Sequence, residues 1–527
     1  MNALLGSLSH QVSTLTDKPA PAAVAASPAR PSTVWQEWLL RGTWILVAAG
    51  AFHAAYGSIH THFLVLLYLF ALLQLARART WRGAFYAGLT VGLLIAVLRL
   101  GFFWRIFGGG AVALWLVFAF WPGLFVALAR LALLPTTVPG RALTGRRQIW
   151  SRRAGWLLLP CLWCGVEYFR SELYYFKFTW LTPGFVFSES PTQVPLALVG
   201  TYGTGLLLMS LSAGLAFLWE RSKIQALALV CVGMGGLQLA GRVSATIPKG
   251  QPAHALQVAG VQLEFPTEDE VLGGLDRLVR QCPEAELLVL SEYTFTRPIP
   301  AAILNWCREH KRYLIAGGEE PLPGSNFYNT AYVISPAGEI VFRQVKSVPI
   351  QCFRDGKPAP EQHVWESPWG KLGICICYDL SYSRVTDELI RQGAEALIVP
   401  TMDVADWGLA QHELHGRVAP LRAVEYGVPI FRLASSGISQ VVNRSGAVTA
   451  NAPYPGAGAV LAGSLELRGP GHLPLDRWMA WLATGLTGVA MVFWFWRRLA
   501  GGPKLPTANS PPSLGAEAEN GQAESQL

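Results

Sequence analysis

Eight apolar blocks constrain the fold of this chain more than any other feature of its sequence. They lie at residues 36–57, 62–76, 84–104, 110–133, 154–170, 195–219, 224–241 and 478–496. Most approach the roughly 20 residues that a helix needs to cross a bilayer. The second block is short and the first contains Arg41 and His53, so these two fit a re-entrant or tilted pair as well as two spans. The pattern predicts a membrane domain of about seven helices at residues 36–245 and a last helix at 471–500, about eight in all.

Charge is scarce and lies between the apolar blocks. Of the 527 residues 51% are apolar and 14% are charged, and the formal net charge is +8. No basic stripe interleaved with aromatic residues is present, so the positive charge does not indicate a nucleic-acid partner. Basic residues cluster instead in alternate loops, at 77–82, 141–153 and 221–223, and in the N-terminal tail. By the positive-inside rule these segments are cytoplasmic, and the chain after the seventh block lies outside.

Three segments differ in composition from the apolar blocks. Residues 1–35 are rich in Ala, Pro, Ser and Thr, and residues 501–527 in Gly, Pro, Ser, Asn and Glu, so both are expected to be disordered tails, the first of them cytoplasmic. Residues 246–470 alternate strand-like and helical patterns, which predicts one soluble α/β domain inserted before the last helix. The predicted strands are 256–263, 287–290, 313–317, 330–335, 339–342, 372–376, 396–399 and 430–433.

One predicted strand of this domain ends in a candidate nucleophile. The strand at 372–376 is followed by Cys377 and then by a helical pattern at 385–392, so the thiol lies on a strand-to-helix turn. The first amides of a helix favour a thiolate. A buried cysteine is as often a small core residue. Cys375, which has the same side-chain direction and no polar residue after it, fits such a packing role.

Two further candidates follow apolar strands. Glu292 comes after the run at 287–290, at the carboxyl end where open α/β sheets place their chemistry. Lys346 ends the strand before a Val-Pro turn. Taken alone, Glu292 is more often an exposed loop or cap residue and Lys346 a solvated edge-strand residue. With Cys377 they form a plausible acyl-transfer set, in which a carboxylate takes the thiol proton and a cation holds the oxyanion.

The order Glu, Lys, Cys and the strings around these residues resemble the carbon-nitrogen hydrolase (nitrilase) superfamily. The strings are LSEYTF, KSVP and GICICYD, followed by GAEALIVPTMD at residues 393–403 and LRAVEYGVPIFRLASSGIS at 421–439. The resemblance covers about residues 250–465 and implies an αββα sandwich. Such a domain between a seventh and an eighth span is similar to the apolipoprotein N-acyltransferase family, whose loop after span five resembles residues 167–184.

Carried over position by position, the resemblance implies that Glu292 is the general base and Cys377 the nucleophile. Tyr378 and Asp379, which follow the nucleophile, are the positions implied to contact the substrate. Lys346 is assigned as the cation of the site, because it is the only lysine of this strand end.

The segment after this lysine departs from the family pattern. Counting back from the Val-Pro pair without a gap places Gln344 at the lysine position, so Lys346 fits only if two residues are missing before that pair. The family has a second glutamate where this chain has Cys352. Asp355 or Glu361 is expected to replace it.

The resemblance implies transfer of a fatty acyl group from a membrane phospholipid, through a thioester on Cys377, to the N-terminal amine of the diacylglyceryl-cysteine of apolipoproteins. It implies a multi-pass protein of the bacterial inner membrane, with the catalytic domain on the periplasmic side, acting as a monomer. We expect no cofactor and no metal, because the cysteines form no Cys/His cluster.

Two alternatives remain open at this point. A membrane-anchored amidase with the same three residues would hydrolyse a carbon-nitrogen bond of a small substrate, although about eight spans are hard to explain for a soluble substrate. A binding or scaffold protein without activity follows if Lys346 does not reach the site.

Overall fold

The computed structural model describes residues 34–134, 146–245 and 254–499. The predicted tails at 1–35 and 501–527 therefore lie almost entirely outside the described residues.

Each of the first seven apolar blocks folds into a helix, and the short α4 separates the third block from the fourth. The helices are α1 (Val34–Ala55), α2 (Leu64–Leu75), α3 (Trp81–Arg99), α4 (Phe103–Phe107), α5 (Gly110–Leu133), α6 (Arg146–Tyr168), α7 (Leu196–Trp219) and α8 (Lys223–Ala245).

Close packing of α3 on α5 depends on small residues. A Cβ atom at Gly88 would lie 2.6 Å from the main-chain oxygen of Pro122, and one at Gly92 would lie 2.6 Å from the Cα of Ala119. Only glycine allows the two backbones to approach this closely, as is usual where membrane helices pack. Of the two helices, α5 lines the cavity described below.

Residues 254–467 contain two six-stranded sheets, in the orders β12-β1-β2-β3-β4-β5 and β11-β10-β9-β8-β7-β6. The strands are β1 (His254–Val261), β2 (Leu287–Val289), β3 (Tyr313–Pro321), β4 (Phe327–Ile334), β5 (Ile340–Val345), β6 (Val364–Ser367), β7 (Gly370–Ile374), β8 (Ala396–Thr401), β9 (Ile430–Ala434), β10 (Ser439–Val442), β11 (Val448–Ala452) and β12 (Val460–Leu467). The helices are α9 (Glu268–Gln281), α10 (Ala301–His310), α11 (Ser383–Arg391), α12 (Leu409–Gly416) and α13 (Val418–Tyr426). All eight predicted strands are present, whereas β6, β10, β11 and β12 were not predicted.

The two sheets face each other and helices cover their outer faces. Leu287 and Val289 point into the core shared with the second sheet. The alternate residues Leu288 and Leu290 point into a separate core under α9 and α10. Because α11 and α13 pack on the other sheet, the domain is the predicted αββα sandwich.

The eighth block is α14 (Asp476–Leu499), which follows the sandwich. Among the described residues, the five helices α3, α5, α7, α8 and α14 are long and apolar enough to cross a membrane. The apolar α2 has only 12 residues. Several helices suited to a membrane are therefore present, but the predicted count of about eight is not confirmed.

Buried polar side chains bond the sandwich to the helical region. Arg477, at the start of α14, donates from Nε to Oδ1 of Asp387 on α11 at 2.7 Å. Oε1 of Glu425 on α13 accepts the main-chain N–H of Thr201 at 2.9 Å. Thr201 follows Gly200, whose φ of 71° kinks α7 near its start. The sandwich is thus fixed to two helices that are distant in sequence.

We expect Arg422 on α13 to be essential for this junction. Arg422 is fully buried and donates to the main-chain oxygens of Leu380 and Ser381 at 3.2 and 2.6 Å, and its guanidinium also pairs with Glu425. Arg422→Ala leaves a buried carboxylate without this partner, a change that costs about 3–5 kcal/mol. The expected result is a drop of several degrees in the apparent unfolding temperature of the detergent-solubilised protein, measured by tryptophan fluorescence.

Arg308→Ala is the matched control for that experiment. Arg308 also donates to a main-chain oxygen, that of Ala337 at 3.0 Å, but it lies on the surface. Surface substitutions of this kind change stability by about 0.5 kcal/mol or less. Equal drops in unfolding temperature for the two variants would contradict the role given to Arg422.

Candidate active site

The three side chains predicted from the sequence meet between strand ends of the two facing sheets. Glu292 follows β2, Lys346 follows β5, and Cys377 follows β7 and begins a 3₁₀ turn that ends at Ser381. Strands β2 and β5 belong to one sheet and β7 to the other. None of the three residues is more than 2% exposed.

Glu292 is held by three donors. Its Oε1 accepts from Nζ of Lys346 at 2.7 Å and from Nδ2 of Asn329 at 2.6 Å, and its Oε2 accepts the main-chain N–H of Met402 at 2.8 Å. Gly317 on β3 lies directly against it, since a Cβ there would be 2.7 Å from the Cα of Glu292. The carboxylate is therefore fixed in position from several elements.

Lys346, the lysine assigned to the site from the sequence, lies beside Glu292 in the structure. Its Nζ lies 2.7 Å from Glu292 and 2.8 Å from Oδ2 of Asp355. Gln344, the alternative at this strand end, turns elsewhere and donates to the main-chain oxygens of Val345 and Glu361 at 2.9 and 3.4 Å. An ammonium group has three N–H bonds, so one remains for a substrate oxygen after the two carboxylates are satisfied.

Of the two acidic residues expected to replace the missing glutamate, Asp355 lies beside Lys346. Its Oδ1 accepts from Nδ2 of Asn329 at 3.0 Å and from the hydroxyl of Tyr293 at 2.8 Å, and its Oδ2 accepts the main-chain N–H of Ile350 at 2.7 Å. Glu361, the other expected replacement, is exposed and lies 3.2 Å from His363. Asn329 and Tyr293 were not predicted, because nothing in their local sequence marks them as polar partners.

Cys377 adopts a backbone conformation that is unusual for a residue with a side chain. Its φ is 52°, and Tyr293, next to Glu292, has a φ of 53°. Such left-handed residues outside glycine tend to cluster at functional sites. The Sγ of Cys377 lies 3.7 Å from the main-chain oxygen of Met402, whose N–H binds Glu292. Met402 thus contacts both the thiol of Cys377 and the carboxylate of Glu292.

Burial dominates the protonation of the site. Burial raises the pKa of the Cys377 thiol well above its usual range, and the nearby Glu292 raises it further against the opposing effect of Lys346. The expectation that helix-start amides favour a resting thiolate was therefore wrong, because the turn has only five residues and Cys377 is 2% exposed. Burial also raises the pKa of Glu292, an effect that Lys346 partly offsets. For Lys346 burial alone would lower the pKa, but Asp355 and Glu292 outweigh it and keep the ammonium charged.

The two residues after the nucleophile have different surroundings. Tyr378 lines the cavity beside Cys377 and donates its hydroxyl to the main-chain oxygen of Lys177 at 3.2 Å. Asp379 does not line this cavity. Its Oδ1 accepts the main-chain N–H groups of Ser347 and Val348 at 3.1 and 2.7 Å. In this position Asp379 orients the segment after Lys346.

A cavity extends from Cys377 into the helical region. Its walls come from the end of α3 through α5, from residues 170–180, from residues 350–353 and from α12. Most are apolar, including Leu100, Phe103, Phe107, Val117, Phe118, Trp121, Phe178, Ile350 and Phe353. The space next to the thiol therefore suits a hydrocarbon chain. Among the described residues, no group of three or more His, Cys, Asp or Glu side chains could hold a metal ion.

Comparison with known proteins connects both parts of the chain to one family. A family model for the apolipoprotein N-acyltransferase N-terminal domain matches residues 46–214, and a carbon-nitrogen hydrolase model matches residues 278–462. An apolipoprotein N-acyltransferase of Nitrosomonas europaea is 26% identical over 62% of this chain and 71% of its own length. One of Bordetella bronchiseptica is 25% identical over 82% of this chain and 92% of its own length. Both parts of the chain are thus similar to apolipoprotein N-acyltransferases.

Shorter similarities extend beyond the apolipoprotein N-acyltransferase family. A formamidase of Bacillus cereus is 34% identical over 20% of this chain and 34% of its own length. The crystal structure of Saccharomyces cerevisiae Nit3, a member of the nitrilase superfamily, has 22% sequence identity, a TM-score of 0.35, and covers 41% of this chain and 91% of its own.

The pairing of Asp355 with Lys346 allows the contribution of Asp355 to catalysis to be tested. Asp355→Asn keeps the shape but removes one of the two carboxylates, and a hydrogen bond to a charged group contributes about 1.5–3 kcal/mol. We expect acylation of Cys377 by a p-nitrophenyl fatty ester, followed as nitrophenolate release, to slow roughly 10- to 100-fold. Glu361→Gln is the control and should leave the rate within about twofold, because Glu361 is exposed and outside the site. Equal rates for Asp355→Asn and the native protein would show that Asp355 has no part in the site.

Proposed function

We propose that this protein transfers a fatty acyl group from a membrane phospholipid to the N-terminal amine of the diacylglyceryl-cysteine of apolipoproteins. Glu292, Lys346 and Cys377 carry out the chemistry, and Tyr378 contributes to the substrate cavity. The observation that supports this most directly is the apolar cavity that joins Cys377 to α4 and α5. A hydrocarbon chain lying between these helices would bring its ester carbonyl to the thiol.

The first half-reaction uses the three side chains in sequence. Glu292 takes the proton of Cys377, and the sulfur attacks the ester carbonyl carbon. The free N–H of Lys346 and nearby main-chain amides stabilise the oxyanion. The ester C–O bond then breaks, Glu292 returns the proton to the departing lysophospholipid oxygen, and the acyl group remains on Cys377 as a thioester.

The second half-reaction reverses these roles with a new nucleophile. The free amine of the acceptor attacks the thioester carbon, Glu292 takes one N–H proton, and the C–S bond breaks. That proton passes to the sulfur, so Cys377 ends as a thiol and the product is an amide. No cofactor takes part in this scheme, and one chain supplies all the residues, which is consistent with action as a monomer.

The second candidate is an amidase for a small substrate, which the partial similarity to a formamidase favours. Against it, the cavity is mostly apolar, and its walls include α5, which is suited to cross a membrane. A small polar amide would leave this surface unused.

The proposed function predicts a covalent intermediate. Incubation of the detergent-purified protein with phospholipid should add the mass of one fatty acyl group, detected by intact-protein mass spectrometry and removed by hydroxylamine. The Cys377→Ala variant should gain no mass, whereas Cys375→Ala, which removes the buried cysteine two residues away, should still be acylated. A native protein that gains no acyl group but hydrolyses short amides would support the amidase instead.

We also propose that the sandwich lies on the periplasmic side of the bacterial inner membrane, because the alternating basic loops place the N-terminus in the cytoplasm. Cys352 is exposed on the sandwich and serves as a reporter. A membrane-impermeant maleimide should label Cys352 in intact spheroplasts, and Cys352→Ser should abolish that labelling. Labelling that requires membrane disruption would place the sandwich in the cytoplasm.

A further inference from the structure

A second set of polar side chains lies beside the nucleophile and has no part in the scheme above. His415 on α12 lines the same cavity as Cys377. Its partner Asp403 follows Met402, whose main-chain oxygen is 3.7 Å from the sulfur of Cys377. Both His415 and Asp403 are buried, with 2% and 0% exposure.

The carboxylate of Asp403 fixes the orientation of the imidazole. Nδ1 of His415 lies 2.7 Å from Oδ1 of Asp403. The same carboxylate accepts from Nη2 of Arg432 at 2.6 Å and from Nε2 of Gln411 at 3.1 Å. Trp180 stacks on the imidazole with ring centroids 4.9 Å apart and an angle of 20° between the planes. The ring is thus held at one nitrogen and on one face.

This arrangement leaves the other nitrogen as a hydrogen-bond acceptor. An imidazole that donates its Nδ1 proton to a carboxylate has its lone pair on Nε2. Among the residues that the structure describes, none bonds to Nε2 of His415. Burial lowers the pKa of His415, Arg432 and His412 lower it further, and Asp403 opposes them, so the ring is neutral at neutral pH. His415 therefore presents a basic nitrogen in the cavity that contains the thiol.

We propose that His415, oriented by Asp403, accepts a proton from the amino group of the acyl acceptor in the second half-reaction. The proposal rests on the proposed function. An N-terminal amine has a pKa of about 7.7–8.0 and reaches the site largely as an ammonium ion, which has no lone pair with which to attack. Nε2 takes one ammonium proton, Asp403 stabilises the imidazolium, and the proton then leaves to water. The neutral amine attacks the thioester as described, with Glu292 handling the next proton.

In the first half-reaction the nucleophile is the thiol, whose proton Glu292 takes, so no acceptor ammonium has to lose a proton to His415. This difference between the half-reactions separates a role of His415 in proton transfer from a role in packing.

The neighbouring His412 provides the comparison. It is fully buried, stacks on Tyr454 with ring centroids 4.2 Å apart, has no hydrogen-bond partner for either ring nitrogen within the described part of the chain, and does not line the cavity.

The test measures both half-reactions for the native protein, His415→Gln and His412→Gln. Glutamine can keep the bond to Asp403 but cannot accept a proton at neutral pH. Acyl-enzyme is formed with phospholipid, and its decay is then followed by mass spectrometry after addition of a synthetic diacylglyceryl-cysteine peptide, between about pH 6 and pH 9.5. We expect His415→Gln to acylate Cys377 at the native rate but to transfer the acyl group roughly 5- to 10-fold more slowly at neutral pH, because only about a tenth of the acceptor amine is neutral there without help.

The dependence on pH distinguishes proton transfer from altered binding. The deficit of His415→Gln should shrink towards pH 9.5, where the acceptor amine loses its proton to solvent without help. His412→Gln removes a neighbour of the Asp403 carboxylate, whose Oδ2 lies 3.9 Å from Nδ1 of His412, but it keeps the His415 nitrogen in the cavity. Both steps should therefore stay within about twofold of the native rates. Unchanged acyl transfer in His415→Gln, equal slowing of both half-reactions, or a deficit independent of pH would each overturn the proposal.

Failure of the proposed function would be seen separately, as a native protein that phospholipid does not acylate. In that case a p-nitrophenyl fatty ester loads Cys377, and the same peptide and variants still test His415.

Discussion

A lysine without exposed surface has to be paired, and that requirement shapes this site. An unpaired ammonium in the interior costs far more than a protein of ordinary stability can tolerate, whereas two carboxylates and good geometry make it sustainable. Lys346 meets this condition through Glu292 and Asp355. These residues come from three separate segments. The need to pair the Lys346 ammonium with two carboxylates therefore holds together the ends of β2 and β5 and the loop at Asp355.

The position of the thiol depends on a different set of contacts. The turn that begins at Cys377 is bonded to the helical region, through the hydroxyl of Tyr382 to the main-chain oxygen of Lys177 at 3.1 Å and through the N–H of Ser383 to Oε1 of Glu172 at 3.1 Å. Nε1 of Trp180 donates to the hydroxyl of Ser381 at 2.9 Å. The segment between α6 and α7 therefore positions the nucleophile, and the sandwich alone does not complete the site.

Prediction from the sequence succeeded best for features that a short run of neighbouring residues determines. Buried strands such as β2, β7 and β8 are short apolar runs between turns, and their ends placed Glu292 and Cys377 correctly. The missed β11 is mostly exposed, and β6 is a four-residue strand at the sheet edge, so neither has an apolar pattern. Asp355 was one of two candidates, because only its contact with Lys346, nine residues earlier in the chain, distinguishes it from Glu361.

The loop after Lys346 links the charge of the site to the shape of the cavity. Ile350 and Phe353 line the cavity, and the N–H of Ile350 binds the same Asp355 carboxylate that pairs with Lys346. Phe353 also contacts Phe107 of α4, with ring centroids 5.4 Å apart. If this loop moved so that the cavity opened, Asp355 would be displaced from Lys346. The pairing of the buried lysine therefore favours the closed arrangement of the loop. An apolar chain that fills the cavity would replace the lost contacts, so occupancy by a lipid and order at the catalytic charges are expected to depend on each other.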